Sequence, residues 1–250
     1  MPPGSDGPAN SRTDAHPHLE SDAEQRQKRK TLRKILRLAA RRVQHSSEHS
    51  ATDMDETPTK KYALPAFDDP LFSKQWHLHN RASPGRDLNV LPVWAAGIHG
   101  RGVTVCIVDD GVDAEHSDIR AAFRADLSHD FNTGAAVPVP ERKLRDVHGT
   151  RCAGLIVAQP NNGVCGVGIA WDAQVSAVRI LSASVSTANE AAAVVHRIDE
   201  NDVFSCSWGP EDNGRAIDAP ALPVVRAFAK GLSEGRNGKG AVYIFAAGNG

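Results

Sequence analysis

The sequence predicts an α/β fold built on a mainly parallel central sheet. Three observations carry that expectation. Strand-like and helix-like segments alternate from about residue 87 to the last residue, the pattern of parallel strands joined by helical crossovers. The strand-like segments are near-continuous apolar runs, which suits strands covered on both faces. The 250 residues suffice for one sizeable domain with an appendage.

Residues 1–61 differ from the rest and are expected to be a disordered, partly basic segment, a possible remnant of a pro-region. Within it, "RQKRKTLRKILRLAARRVQ" (26–44) puts Leu32, Leu36, Ala39 and Val43 on one helical face among Arg and Lys. That pattern suits a membrane-surface or partner-binding helix; more often such a charge run is a solvated linker. The compact part is expected over 62–250. "DLNVLPVWAAGIHG" (87–100) reads as a short helix with a glycine stop. "GVTVCIVD" (102–109) is a strand, rich in β-branched residues. "GTRCAGLIVAQ" (149–159) reads as a helix opening just after His148, and "AQVSAVRIL" (173–181) as a strand. "TANEAAAVVHRI" (187–198) is a helix with Thr187 as N-cap and Glu190 completing a capping box. "DVFSCSW" (202–208) is a strand, and "APALPVVRAFAKGLSEG" (219–235) a helix with Pro223 in its first turns. "GAVYIFAAGNG" (240–250) is the last strand.

Composition narrows the function. Lys and Arg number 29 against 30 Asp and Glu, a net charge of −1, which gives no general attraction for nucleic acid. No apolar run reaches membrane-spanning length, and the N-terminus lacks the apolar centre of a secretory signal. Four cysteines, Cys106, Cys152, Cys165 and Cys206, fit neither a zinc pattern nor a disulfide scaffold. "GVGIAW" (166–171) faintly resembles a nucleotide-binding glycine fingerprint, but it follows a polar Asn-rich loop instead of a strand.

In parallel sheets, sites form at the carboxyl ends of strands. Asp109, Ser207 and Asn249 fall at or just beyond such ends. A nucleophilic hydrolase needs a base, a carboxylate that orients it, and donors for the oxyanion. Asp109 suits the carboxylate, His148 the base at a helix start, and Asn249 the amide donor. Asp110 either faces away from Asp109, because side chains alternate along an extended segment, or joins it in capping the next turn.

Four stretches, "IVDDGVDAEHSDI", "DVHGTRCAG", "SCSWGPEDNG" and "IFAAGNG", resemble the subtilisin-like serine proteases. "SWGPEDNG" and "HGTRCAG…NNGVCGVGIAW" are similar to the kexin/furin branch, the proprotein convertases. The resemblance covers about Asp69 to Gly250. It implies a subtilisin-like three-layer sandwich, present here as the part that precedes the nucleophile serine. It implies a calcium-dependent endopeptidase that cuts precursor proteins after paired basic residues. The alternative is a catalytically inactive, protease-like fragment that binds basic peptides. Asp109 and His148 then resemble two members of the triad, and Asn249 the oxyanion asparagine. The nucleophile is expected beyond Gly250, as is any membrane anchor. The resemblance places acids for basic substrate side chains at Asp110, Asp146, Glu190, Asp212 and Asp218, with Ser207, Trp208 and Gly209 lining the cleft. Arg145 departs from the pattern, in which an acid or polar residue stands there. A calcium ion is implied in "AQPNNGVCG" (158–166), with oxygens from Asp69, Asp118, Gln159, Asn162, Val164 and Gly166; the Asp212 loop is implied to help hold calcium as well. Cys152 resembles a thiol beside the base, Cys165 a disulfide cysteine whose partner lies beyond the stated end, and Lys60-Lys61 a maturation point. Protein substrates in the secretory pathway and the Golgi complete what the resemblance implies.

Overall fold

Five parallel strands form one sheet in the order β2-β3-β1-β4-β5. They are β1 (Thr104–Asp109), β2 (His129–Asp130), β3 (Gln174–Arg179), β4 (Val203–Cys206) and β5 (Val242–Phe245). The helices are α1 (Leu91–Ala95), α2 (His148–Val157), α3 (Thr187–Ala193) and α4 (Leu222–Glu234). This computed structural model describes Arg26, Lys30, residues 65–141, 145–210, Asn213 and residues 219–248. The basic segment 26–44 apart from Arg26 and Lys30, the Lys60-Lys61 pair, and Asp212, Asp218 and Asn249 lie outside the described residues.

β1 is central and buried along its whole length. Its side chains alternate between two cores. Val105 and Ile107 pack with Ala153 and Val157 of α2 and with Val175 and Ala177 of β3. Cys106 and Val108 pack on the other side with Ala193 of α3, Phe204 and Cys206. Full burial of such aliphatic side chains contributes about 1.5–3 kcal/mol each, so both faces of the sheet are anchored.

The topology fixes where a site forms. From β1 the chain passes through β2 and β3 on one side and then crosses back to β4 on the other. That reversal opens a crevice at the carboxyl ends of β1 and β4, the switch point of an α/β sheet. Asp109 ends β1, and Ser207 follows the last residue of β4.

Elements shorten relative to the sequence expectation. The helix expected over 87–100 is only α1, with Gly97 and Gly100 at φ 75° and 92°. The helix expected over 187–198 ends at Ala193, and its cap is Ser186, not Thr187. The Ser186 hydroxyl accepts the N–H of Asn189, so the capping position lies one residue earlier than the sequence pattern suggested. β2, two residues long, carries too little periodicity to be seen in a sequence.

Candidate active site

Parity along β1 sends Asp109 to the α2 side of the sheet, the face of Val105 and Ile107. There its carboxylate meets the first residue of α2. His148 Nδ1 lies 2.9 Å from Oδ1 and 2.8 Å from Oδ2 of Asp109. The Asp109 side chain is 2% exposed, whereas that of His148 is 55% exposed. A buried carboxylate therefore holds one ring nitrogen and leaves the other facing solvent. Burial pushes the Asp109 carboxyl up, and its hydrogen bond from His148 pulls it back in part. A histidine held this way has its tautomer fixed and its cation stabilised, the requirement for a general base in acyl transfer.

The second carboxylate departs from expectation. Asp110 does not turn to the opposite face. Its Oδ2 accepts the backbone N–H of His148 at 2.9 Å, and its Oδ1 that of Gly149 at 2.7 Å. Adjacent carboxylates thus converge on one helix start, one on the imidazole and one on the backbone beneath it. The Asp110 N–H also donates to Asp109 Oδ1 at 2.8 Å, tying the pair together.

Asp146 is turned inward. It is 8% exposed, and its Oδ2 accepts from Ser182 Oγ at 2.6 Å, Arg179 Nη2 at 2.9 Å and the Glu141 N–H at 3.0 Å. Asp146, expected from the sequence to meet a substrate side chain, thus has its Oδ2 bonded within the protein. Arg179 is the residue that sequence reading passed over. It faces Asp109 across the β1–β3 register and is 3% exposed. Its Nη1 donates to Asp130 Oδ2 at 3.0 Å and its Nε to the Asp110 carbonyl at 3.1 Å. The signal was available: a lone arginine inside an otherwise apolar strand is buried only if paired.

On α2, Cys152 lies one turn below His148, with Sγ 3.7 Å from His148 Nδ1 and 3.9 Å from Ser207 Oγ. Carboxylate, imidazole and thiol each offer an atom within 4.8 Å of the others. Burial pushes the Cys152 thiol up, and the nearby Asp109 charge adds to that. Beyond β4, Trp208 donates Nε1–H to the Val108 carbonyl at 3.0 Å, and Gly209 is exposed. Ser207, Trp208 and Gly209 therefore stand beside the dyad, at the end of the neighbouring strand. Glu190 sits in the first turn of α3. Cys106 and Cys206 are buried apolar-like residues, and burial pushes the Cys106 thiol up to about 12.

The loop after α2 draws two distant carboxylates together. Asp69 accepts the N–H of Asn161 at 2.7 Å and of Asn162 at 3.3 Å. Asp118 accepts Asn162 Nδ2–H at 2.7 Å, and its backbone carbonyl accepts the Gln159 N–H at 3.1 Å. Both carboxylates are buried, 4% and 3% exposed. Among the described residues neither has a cationic side chain against it. Two buried negative charges of this kind, within a loop rich in carbonyls, match the oxygen donors that calcium takes. Asn162 turns its nitrogen to Asp118 and its oxygen to the Val164 N–H; serving as an oxygen ligand requires that amide to rotate.

Comparisons with known proteins agree with this geometry. The model of the subtilase family matches residues 100–250. The chain is 49% identical over 185 residues to kexin of Saccharomyces cerevisiae, covering 74% of this chain and 23% of that protein. It is 45% identical over 216 residues to the dibasic-processing endoprotease of Schizosaccharomyces pombe, covering 86% of this chain and 30% of that protein. Among solved structures, the Aeromonas sobria serine protease in complex with its chaperone superposes with a TM-score of 0.66 at 29% identity, over 81% of this chain and 35% of that one. The chain thus spans about a quarter of the length of the curated relatives it matches. With the dyad on the sheet's switch point and these matches across it, the chain belongs to the subtilase family.

Proposed function

We propose that this chain supplies the base-bearing part of a calcium-dependent serine endopeptidase that cuts precursor proteins after paired basic residues. The observation that supports it is the His148 ring held by the buried Asp109 carboxylate at 2.8 Å, with the other nitrogen facing solvent. His148 takes the proton of a serine nucleophile and returns it to the leaving amine. Asn249 donates its amide to the oxyanion, a role worth roughly 3–4 kcal/mol of transition-state stabilisation. Asp212 receives the basic residue at the cut, Asp110 the residue before it, and Glu190 and Asp218 a more distant arginine. Ser207 to Gly209 line the cleft. A desolvated carboxylate facing arginine binds it through charge-assisted, bidentate hydrogen bonds. Calcium is held by Asp69, Asp118, the Asn162 side chain and the carbonyls of Gln159, Val164 and Gly166, a stabilising role away from the chemistry; Asp212 belongs to a loop that helps hold calcium. Substrates of this kind place the protein in the secretory pathway.

The test is an exchange. The 185 residues matched in yeast kexin are replaced by those of this chain, and the chimera is assayed on peptides ending in Lys-Arg or Ala-Ala before a reporter. Cleavage after Lys-Arg alone, lost in His148→Ala, is expected. A folded chimera that cuts neither peptide, or both equally, overturns the proposal.

A further inference from the structure

The geometry points to Asp110 as a positioning residue: its carboxylate caps the N-terminus of α2 and so sets the imidazole of His148 on Asp109. This rests on reading His148 as the base and deepens it, because the residue assigned to the substrate also holds the catalytic ring in place. The first N–H groups of a helix have no partner within it. Val147, the N-cap residue of α2, offers no side-chain cap. Asp110 fills that role from just beyond the end of β1, one oxygen to each of the first two N–H groups of the helix, at 2.9 Å and 2.7 Å. A carboxylate accepts about four hydrogen bonds, so roughly two sites remain for a cationic side chain. An anion here also matches the positive end of the helix dipole.

Three other contacts hold the same junction. The Thr150 hydroxyl accepts the Asp113 N–H at 2.9 Å. Arg179 Nε donates to the Asp110 carbonyl at 3.1 Å, and Ser182 Oγ, whose proton goes to Asp146 at 2.6 Å, lies 3.3 Å from the same carbonyl. Gly149 has to be glycine: a Cβ there would lie 2.3 Å from the Gly111 carbonyl oxygen and 3.0 Å from Asp110 Oδ1. The strand tip and helix start are therefore pressed backbone to backbone, and the Asp110 carboxylate is the polar clasp between them. Because Asp109 and Asp110 are neighbours, the clasp sets the Asp109 carboxylate and the His148 Cα in one rigid unit.

The experiment reads the ring directly in the full 250-residue chain. The Nδ1–H of His148, protected by Asp109, is followed by proton NMR for its solvent exchange. In Asp110→Ala the exchange is expected to be about five- to tenfold faster, the order that losing a helix cap gives. Asp110→Asn keeps one acceptor and restores part of the protection. The exposed Glu115→Gln, which removes a charge nearby but no contact to α2, leaves it unchanged. Should Asp110→Ala not fold, Asp110→Asn decides, with exchange expected to be faster than in the parent. Unchanged exchange in a folded Asp110 variant, or an equal change in Glu115→Gln, overturns the proposal. Peptide cleavage plays no part in this measurement, so its failure is distinct from a failure of the protease reading.

Discussion

At the scale of one residue, the burial of Asp109 beneath His148 costs stability. It is 1% exposed, and burial raises its carboxyl above the usual range despite the bond from His148. A carboxyl whose folded pKa is raised contributes stability below its unfolded value of about 3.9, and that contribution is lost as pH rises through the higher folded value. Near neutral pH its charge is therefore a net cost to folding. Asp109→Asn keeps the shape and an acceptor but removes the charge. Its melting temperature at pH 7 is expected to rise by about 2 °C, and the gain to vanish near pH 3, where the parent carboxyl is neutral too. Thermal melts at the two pH values check this; a lower value at pH 7 shows that the ion pair with His148 outweighs the burial.

At the scale of elements, the junction of β1, β3 and α2 depends on one cation. Arg179 joins the end of β3 to β2 through Asp130, to the residues before α2 through Asp146, and to the β1 tip through the Asp110 carbonyl. Burial pushes both carboxyls up, yet Arg179, Ser182 and backbone N–H groups more than offset it and hold them below the usual range. Depressed carboxyls contribute stability above about pH 3.9, lost as pH falls through their lower folded values. Arg179→Met leaves two buried carboxylates without their cationic partner and is expected to cost about 3–5 kcal/mol at pH 7. Urea unfolding at pH 7 and pH 3 checks this: the loss shrinks at pH 3 as the orphaned carboxyls take up protons, and a loss equal at both values would mean that packing, not charge, is what Arg179 supplies. The junction also shows what a sequence can and cannot disclose. Apolar alternation marked the strands, and the run to Asp109 marked where the chemistry would sit, because burial is a property of neighbours in the chain. Parity correctly put Asp109 on one face, yet it misplaced Asp110, which leaves the strand and takes its direction from a helix 38 residues on. The bond between Asp146 and Arg179 was not legible in the sequence, since the two meet only through folding. Ser186 took the cap expected of Thr187 because both residues suit the role and only backbone geometry chooses between them.

At the scale of the molecule, the Asp69–Asp118 cluster joins three parts of the chain that have little else in common. Asp69 comes from the segment before α1, Asp118 from the turns after β1, and Asn161 and Asn162 from the loop that leaves α2. The Leu71 N–H adds a bond to the Cys165 carbonyl at 2.6 Å, so the N-terminal segment is held along the loop. Both carboxylates are buried, and among the described residues neither is ion-paired. A calcium ion would offset both charges at once and bind only the folded chain, which stabilises it by mass action. At a hundred times the dissociation constant the gain is about 2.7 kcal/mol, which for a chain of this size corresponds to a rise of about 5–10 °C in melting temperature. Melts with calcium, with magnesium and with chelator should show the rise for calcium alone, since magnesium gives up its water reluctantly and demands a tighter octahedron. Asp69→Asn should remove most of the calcium response, because it removes one of the two buried carboxylates. A parent chain whose melting is indifferent to calcium would mean that the two carboxylates are held by the loop's N–H groups alone, and that the N-terminal segment is fastened to the sheet without a metal.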